Sequence, residues 1–318
     1  MMPVHFGIDI DQAALTIACE EKPGSIERID NTAAAIDTWL EGLPPHSHLA
    51  VEASGRCHVC LLERAVKTRA SIYLLNPRDV RYYAQGVGRR AKTDRVDAQV
   101  IARYLAHERK GLRAYQPPPA VAARIEVLLR RRALLVRTQA RLRLGLIEMS
   151  QFDAAIEALY TGYAAVIKQI DQAIHELIAQ DARQLHLQTV LRSIPGIGPL
   201  NSAQLLSLFN RLPDAGPDAF IASMGLDPRA NESGKSRSKR KLTKKGPPEP
   251  RRLMYLAAQA FARHPLGKRL YERYRQRGLS AIETYVIIAR KLLRLAYALY
   301  HHDELFDPQR FEKACFGT

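Results

Sequence analysis

Three short apolar runs separated by turn residues open the chain: Val4 to Asp11, Ala14 to Cys19 and Ser25 to Ile29. No other feature limits the fold as strongly, because runs this close together leave room only for tight turns and so pair as an antiparallel meander. The pattern then alternates. A helix is expected from Ala33 to Leu43, a buried strand over Leu49 to Glu52, a helix from Cys57 to Val66 and a strand over Ser71 to Leu75. Asn76-Pro77 ends that strand, and a short helix runs on to Tyr83. Three antiparallel strands followed by alternating helices and strands specify an α/β domain with a mixed sheet.

This is the element order of a ribonuclease H-like fold, and it gives position a chemical meaning. Asp9 lies in the first strand, and Glu52 ends the fourth, just before Ala53-Ser54-Gly55. Strands one and four are neighbours in such a sheet, so both carboxylates are expected at its open end. Two more acids arrive in the segment from Arg89 to Leu105, where Val96, Val100, Ile101 and Leu105 recur at helical spacing. Asp94 and Asp97, three apart, then share a helix face behind Thr93 as N-cap. Taken alone, acids in a first turn are ordinary; like charges one turn apart cost only about 0.2–0.5 kcal/mol when solvated. Four acids from three distant segments are another matter. Carboxylates that converge call for a divalent cation, and oxygen ligands suit Mg²⁺ or Mn²⁺; a pair of such ions about 3.5–4 Å apart is the known device for cutting or joining phosphodiesters. Asp11 stands two residues after Asp9 and, by strand parity, on the same face, either as an extra ligand or as a solvated neighbour.

The formal net charge of +16 favours a polyanionic partner, because neutralised phosphates release counterions. Lipidation signals and a basic amphipathic anchor are absent, which makes nucleic acid the expected partner rather than a membrane surface. No apolar run reaches the roughly 18 residues of a membrane span, and the first residues carry no leader pattern, so the chain reads as cytoplasmic. Cys19, Cys57, Cys60 and Cys315 are too scattered for a disulfide framework. Cys57-His58-Val59-Cys60 reads as a reduced pair on a helix, with a redox dithiol or a zinc site as rarer alternatives.

Beyond Gln116-Pro117-Pro118-Pro119 the character changes. Residues 120–149 are helix-forming and basic, with Arg130, Arg131, Arg132, Arg137, Arg141 and Arg143 among leucines. A second helical run extends from about Phe152 to Leu187, with Ile156, Leu159, Val166, Ile170, Ile174 and Leu177 near coiled-coil spacing, so an antiparallel hairpin is expected. Ile194-Pro195-Gly196-Ile197-Gly198 then looks like a helix-hairpin-helix turn, in which Gly196 and Gly198 would let backbone N–H groups approach a DNA phosphate; the alternative is a tight interhelical turn. Farther on, Glu232-Ser233-Gly234 leads into Lys235, Arg237, Lys239, Arg240, Lys241, Lys244 and Lys245, a run that contacts nucleic acid or is simply a flexible basic loop. Two helices follow, near 251–262 and 281–300.

Gly7-Ile8-Asp9, Val51-Glu52-Ala53-Ser54-Gly55, Lys92-Thr93-Asp94-Arg95-Val96-Asp97-Ala98, the Pro-Gly-Ile-Gly turn, Gly225-Leu226-Asp227-Pro228 and Glu232-Ser233-Gly234 together resemble the DEDD-type insertion-sequence transposases, the family that also includes the Piv DNA invertases. The likeness covers nearly the whole chain. It implies a RuvC-like metal-binding domain over 1–115 with Asp9, Glu52, Asp94 and Asp97 as its acids, a helical coiled-coil linker over 116–188, and a mostly helical transposase domain over 189–318 with Ser233 as nucleophile. It further implies recombination of DNA without ordinary terminal inverted repeats, assembly as a dimer or tetramer, and, in some members, guidance by a structured RNA. Gly246-Pro247-Pro248-Glu249-Pro250-Arg251 departs from the family's Gly-Asn-x-x-Leu-Arg turn. Three alternatives stand beside this reading: a RuvC-like nuclease that needs the acids but not Ser233, a Piv-type invertase, and a non-catalytic nucleic-acid-binding protein.

Overall fold

The structure is a computed structural model that describes residues 3–53, 55–88, 93–229, 232–233, 236–237 and 241–317; at 229, 232, 233, 236 and 237 the description stops at the backbone. The chain divides into two compact units, Met1–Pro117 and Pro118–Thr318. The division falls at the proline run, where no helix can continue.

In the first unit, β1 (Val4–Ile10), β2 (Ala14–Cys19) and β3 (Ile26–Asp30) form the expected meander. Next come α1 (Ala33–Glu41), β4 (Ser47–Glu52), α2 (Val59–Ala65), β5 (Ser71–Leu75), α3 (Pro77–Gly86) and α4 (Asp94–Glu108). The sheet order is β3-β2-β1-β4-β5, with β4 parallel to both β1 and β5. One face carries Ile8, Ile10, Leu49 and Val51 against Ile36, Trp39 and Leu40 of α1 and Leu61 and Leu62 of α2. The other carries Ala50, Tyr73 and Leu75 against Val100, Ile101 and Leu105 of α4.

One residue sets how closely α4 lies on the sheet. Gly7 is buried in β1, and a Cβ there would fall 2.1 Å from the Ala102 amide nitrogen and 2.2 Å from the Ala98 carbonyl oxygen. Glycine inside a strand is otherwise unfavourable, so this one marks backbone-to-backbone contact between strand and helix.

The second unit is helical: α5 (Ala120–Gly145), α6 (Asp153–Ala179), α7 (Ala182–Arg192), α8 (Pro199–Arg211), α9 (Pro217–Ser223), α10 (Pro248–Phe261), α11 (Pro265–Gln276), α12 (Ala281–His302) and α13 (Pro308–Phe316). The expected single run from 152 to 187 is two helices. Asp181 interrupts it, accepting from the amides of Arg183 and Gln184 as N-cap of α7. Arg132 donates two bonds to Asp171, at 2.6 and 3.1 Å, and the Arg143 guanidinium lies 5.0 Å from the Tyr160 ring centre. Partners that advance along α5 while receding along α6 make the pair antiparallel. Ile125 and Leu129 of α5 and Ile174 and Ile178 of α6 join a core built around Phe209, Phe220, Phe261 and Leu292. The segment expected as a linker therefore packs by one end of each helix into the second unit. At its outer end Leu144 and Ile147 are 74% and 72% exposed.

Among the described residues between α9 and α10 there are four two-residue strands. β6 (Pro228–Arg229) pairs antiparallel with β9 (Lys241–Leu242), and β7 (Glu232–Ser233) with β8 (Ser236–Arg237). The segment expected as a loop is thus a β-ribbon in its described parts. Among the described residues no helix is long and apolar enough to cross a membrane.

Candidate active site

Strand register decides the first half of the site. β1 and β4 are in register from Val4↔Ser47 to Ile8↔Val51, and one step further the same offset carries Asp9 beside Glu52. Neighbouring residues of parallel strands share a face, and this is the face of Gly7 and Ala50, which α4 covers. From α4, Asp94 and Asp97 lie on the same helical stripe as Ala98, Ile101 and Leu105, all three of which are buried. Thr93 is the N-cap as expected: its hydroxyl accepts from the Val96 amide at 3.3 Å, and the Asp97 amide donates to the Thr93 carbonyl at 2.9 Å.

Asp9 senses the other three acids. The Asp9 carboxyl is pushed up from 3.8 to about 6, first by burial, then by the charges of Asp97, Asp94 and Glu52, against a lowering hydrogen bond from the Ile10 backbone. A half-buried carboxylate facing three others is ionised only at a cost, which a cation would remove. As donors, four carboxylates suit a hard divalent ion. Among the described residues, however, no three His, Cys, Asp or Glu side chains are close enough together to hold one. Charge from Asp97, Asp94 and Glu52 nonetheless reaches Asp9.

Asp11 is not part of this cluster. β1 ends at Ile10, so strand parity no longer governs Asp11; its Oδ1 instead accepts from the Ala13 amide at 2.6 Å and the Ala14 amide at 2.7 Å, shaping the β1–β2 turn. Those two N–H groups hold its carboxyl below the ordinary value. Cys57 and Cys60 are free thiols, both partly exposed.

Ser233 lies opposite Ser236 in the β7–β8 pair. Gly234, Lys235, Lys239 and Arg240 lie outside the described residues, and Arg237 is described by its backbone alone. Lys241, Lys244 and Lys245 are exposed on the returning leg of the ribbon. The two glycines of the Pro-Gly-Ile-Gly turn have different surroundings. Gly196 has φ +87°, and a Cβ there would meet the Ala257 carbonyl at 2.6 Å and the Phe261 amide at 2.7 Å, so packing against α10 accounts for it. Gly198 is the N-cap of α8, and a Cβ there would meet nothing within 4 Å, so packing does not account for this glycine.

Two contributors escaped the sequence reading. Gly7 was visible as part of a motif, and its place inside a strand was the signal of close approach. Arg251 was visible only as the end of an altered turn. In the fold its Nη1 donates to the Met224 carbonyl at 2.8 Å and to that of Gly246 at 3.4 Å, on either side of the ribbon.

Comparison with known proteins finds transposases. A transposase profile of the DEDD type found in IS110 elements matches residues 6–149, and one described as "Transposase IS116/IS110/IS902 family" matches residues 188–275. Two relatives, each called pilin gene-inverting protein, come from Moraxella bovis and Moraxella lacunata. Each is 29% identical over 274 residues, covering 83% of this chain and 83% of the relative. With one profile over the acidic sheet and α5 and the other running from within α7 into α11, the chain belongs to the IS110 family of transposases and is a DNA recombinase.

Proposed function

We propose that the chain cuts and rejoins DNA strands of an insertion sequence with a RuvC-like acidic site made of Asp9, Glu52, Asp94 and Asp97 and with Ser233 as nucleophile. The observation that supports the first half is the strand register that carries Asp9 beside Glu52, with the Asp9 carboxyl pushed up first by burial and then by the charges of Asp97, Asp94 and Glu52. Those four residues would hold a divalent cation, Mg²⁺ or Mn²⁺. Such an ion supplies positive charge that draws a proton from an attacking hydroxyl and offsets charge building on the scissile phosphate. The sheet and α4 supply the carboxylates on a frame that Gly7 keeps tight.

A serine hydroxyl is a weak nucleophile at neutral pH and needs such activation. Its attack on phosphorus would form a phosphoserine–DNA ester and release a DNA hydroxyl. Attack by another DNA hydroxyl on that ester would restore the serine, so rejoining needs no nucleotide cofactor. Gly198 and the ribbon lysines, Lys241, Lys244 and Lys245 with Lys235, Arg237, Lys239 and Arg240, are proposed DNA contacts. Gly196 serves packing. The exposed Leu144 and Ile147 support assembly of several copies. A structured RNA as guide is proposed from the family likeness alone.

In strand-cleavage assays on a plasmid carrying the gene and its flanking DNA, Ser233→Ala is expected to abolish cleavage and the covalent protein–DNA adduct. Normal cleavage by that variant would favour a RuvC-like nuclease. Asp94→Asn is expected to stop cleavage, by more than about 10³-fold, while DNA binding persists; intact recombination would remove the acidic site. Sequencing RNA co-purified with the protein tests guidance, and one abundant transcript from beside the gene is the expected result. A second reading, inversion rather than transposition, is favoured by the name of the two relatives. Sequencing the recombined junctions in cells distinguishes the two.

A further inference from the structure

We infer that Arg251 is a positioning residue for Ser233, because its guanidinium ties together the two legs of the ribbon that carries that serine. The inference rests on the reading of Ser233 as nucleophile.

The ribbon leaves the helical body after Met224 and returns at Gly246, and its base is unusually close. Gly225 has φ +64°, and a Cβ there would lie 2.7 Å from the Lys244 Cα. At Gly246 a Cβ would lie 1.8 Å from the Ser223 carbonyl oxygen. Entry and exit strands are thus pressed together where no side chain fits. Between them the Thr243 amide donates to the Asp227 carbonyl at 3.0 Å, the Lys244 amide donates to the Gly225 carbonyl at 3.2 Å, and the Thr243 hydroxyl donates to the Asp227 carboxylate. Arg251, in the first turns of α10, spans the junction. A single Nη1 reaches one carbonyl on the outgoing leg, Met224, and one on the returning leg, Gly246.

The consequence is leverage. Ser233 follows Asp227 by six residues, a separation that can reach at most about 20 Å, and over that reach a tilt of about 5° at the base would move the far end by nearly 2 Å. Misplacement of about 1 Å at a reacting centre lowers rates on the order of 10²-fold. A lysine in place of Arg251 keeps the charge, but its shorter side chain holds the nitrogen back from the two carbonyls that Nη1 reaches.

Arg251→Lys in the full-length protein tests this, read out three ways: amide hydrogen exchange at Thr243 and Lys244, DNA affinity, and the rate of covalent adduct formation at saturating protein on the plasmid described above. The expected result is exchange at least about tenfold faster at those two amides and adduct formation about 10–100-fold slower, with DNA affinity within about twofold and an unchanged melting temperature. Unchanged exchange would show that Arg251 ties nothing. Faster exchange with adduct formed at the wild-type rate would overturn the positioning role, and parallel losses of affinity and melting temperature would reduce Arg251 to fold maintenance. Absence of any adduct in the wild-type protein, with exchange responding as expected, would remove the nucleophile reading and the positioning role with it, leaving only the tie between the legs.

Discussion

The acidic end of the first unit and the serine ribbon of the second are built by opposite means. The carboxylates sit on long regular elements: two parallel strands in register and the first turn of a fifteen-residue helix. Ser233 sits in a ribbon whose described residues pair two by two, Glu232 and Ser233 with Arg237 and Ser236, and whose base is pinned at Gly225 and Gly246. Both regions use glycine for backbone contact, Gly7 under α4 and Gly246 against Ser223. Under the sheet that contact sets an entire layer, whereas at the ribbon it sets a hinge. Regular structure delivers charge to a fixed place; a short ribbon delivers a single group on an arm.

Matched substitutions test that contrast most severely. Gly7→Ala must push α4 off β1, and a loss of about 3 kcal/mol or more is expected, seen as a large fall in melting temperature of the first unit. Gly246→Ala is expected to cost less, about 1–3 kcal/mol, while still abolishing adduct formation, because only the ribbon has to shift. Equal melting losses would erase the distinction between layer and hinge.

Asp9→Asn sharpens the electrostatic side. With its folded value near 6 against an ordinary 3.8, Asp9 keeps a proton through the interval from about pH 4 to 6 that the unfolded chain has already released. The folded state then binds more protons, so this group's contribution to stability falls as pH rises through that window and is level above it. Discounted for solvent screening of a half-exposed group, the penalty is about 1–2 kcal/mol at neutral pH. Asp9→Asn is therefore expected to melt higher than wild type at pH 7 and equally at pH 4, with magnesium chloride narrowing the gap by stabilising the wild type. A gap independent of pH would refute the charge cluster. The smallest effect expected is at the cap: Thr93→Ala should cost about 1 kcal/mol and fray the turn bearing Asp94 and Asp97, while Thr93→Ser restores it in thermal melts.

Much of the first unit was legible because period-two and helical patterns are local. Strands, helices and the cap at Thr93 follow from residues a few positions apart, and the neighbouring of β1 and β4 follows from element order. Of the two roles left open for Asp11, the structure favours the solvated neighbour: parity holds only while the strand continues, and beyond Ile10 two amide hydrogen bonds engage its exposed carboxylate. The break at Asp181 was hidden within an apolar periodicity that continues across it. Arg251 and the ribbon pairing were unreadable because their partners are backbone groups up to 27 residues away in sequence, to which no residue type points.

Sequence by itself determined the identity and order of the acids, the strand–helix alternation that carries them and the basic run beyond Ser233, since each depends on residue type and short-range spacing. Tertiary structure decided which acids feel each other's charge, which glycine packs and which stands open, and how the ribbon is rooted. Those outcomes depend on distances between segments remote in the chain, and burial and Coulomb interaction respond to distance rather than to order along the backbone.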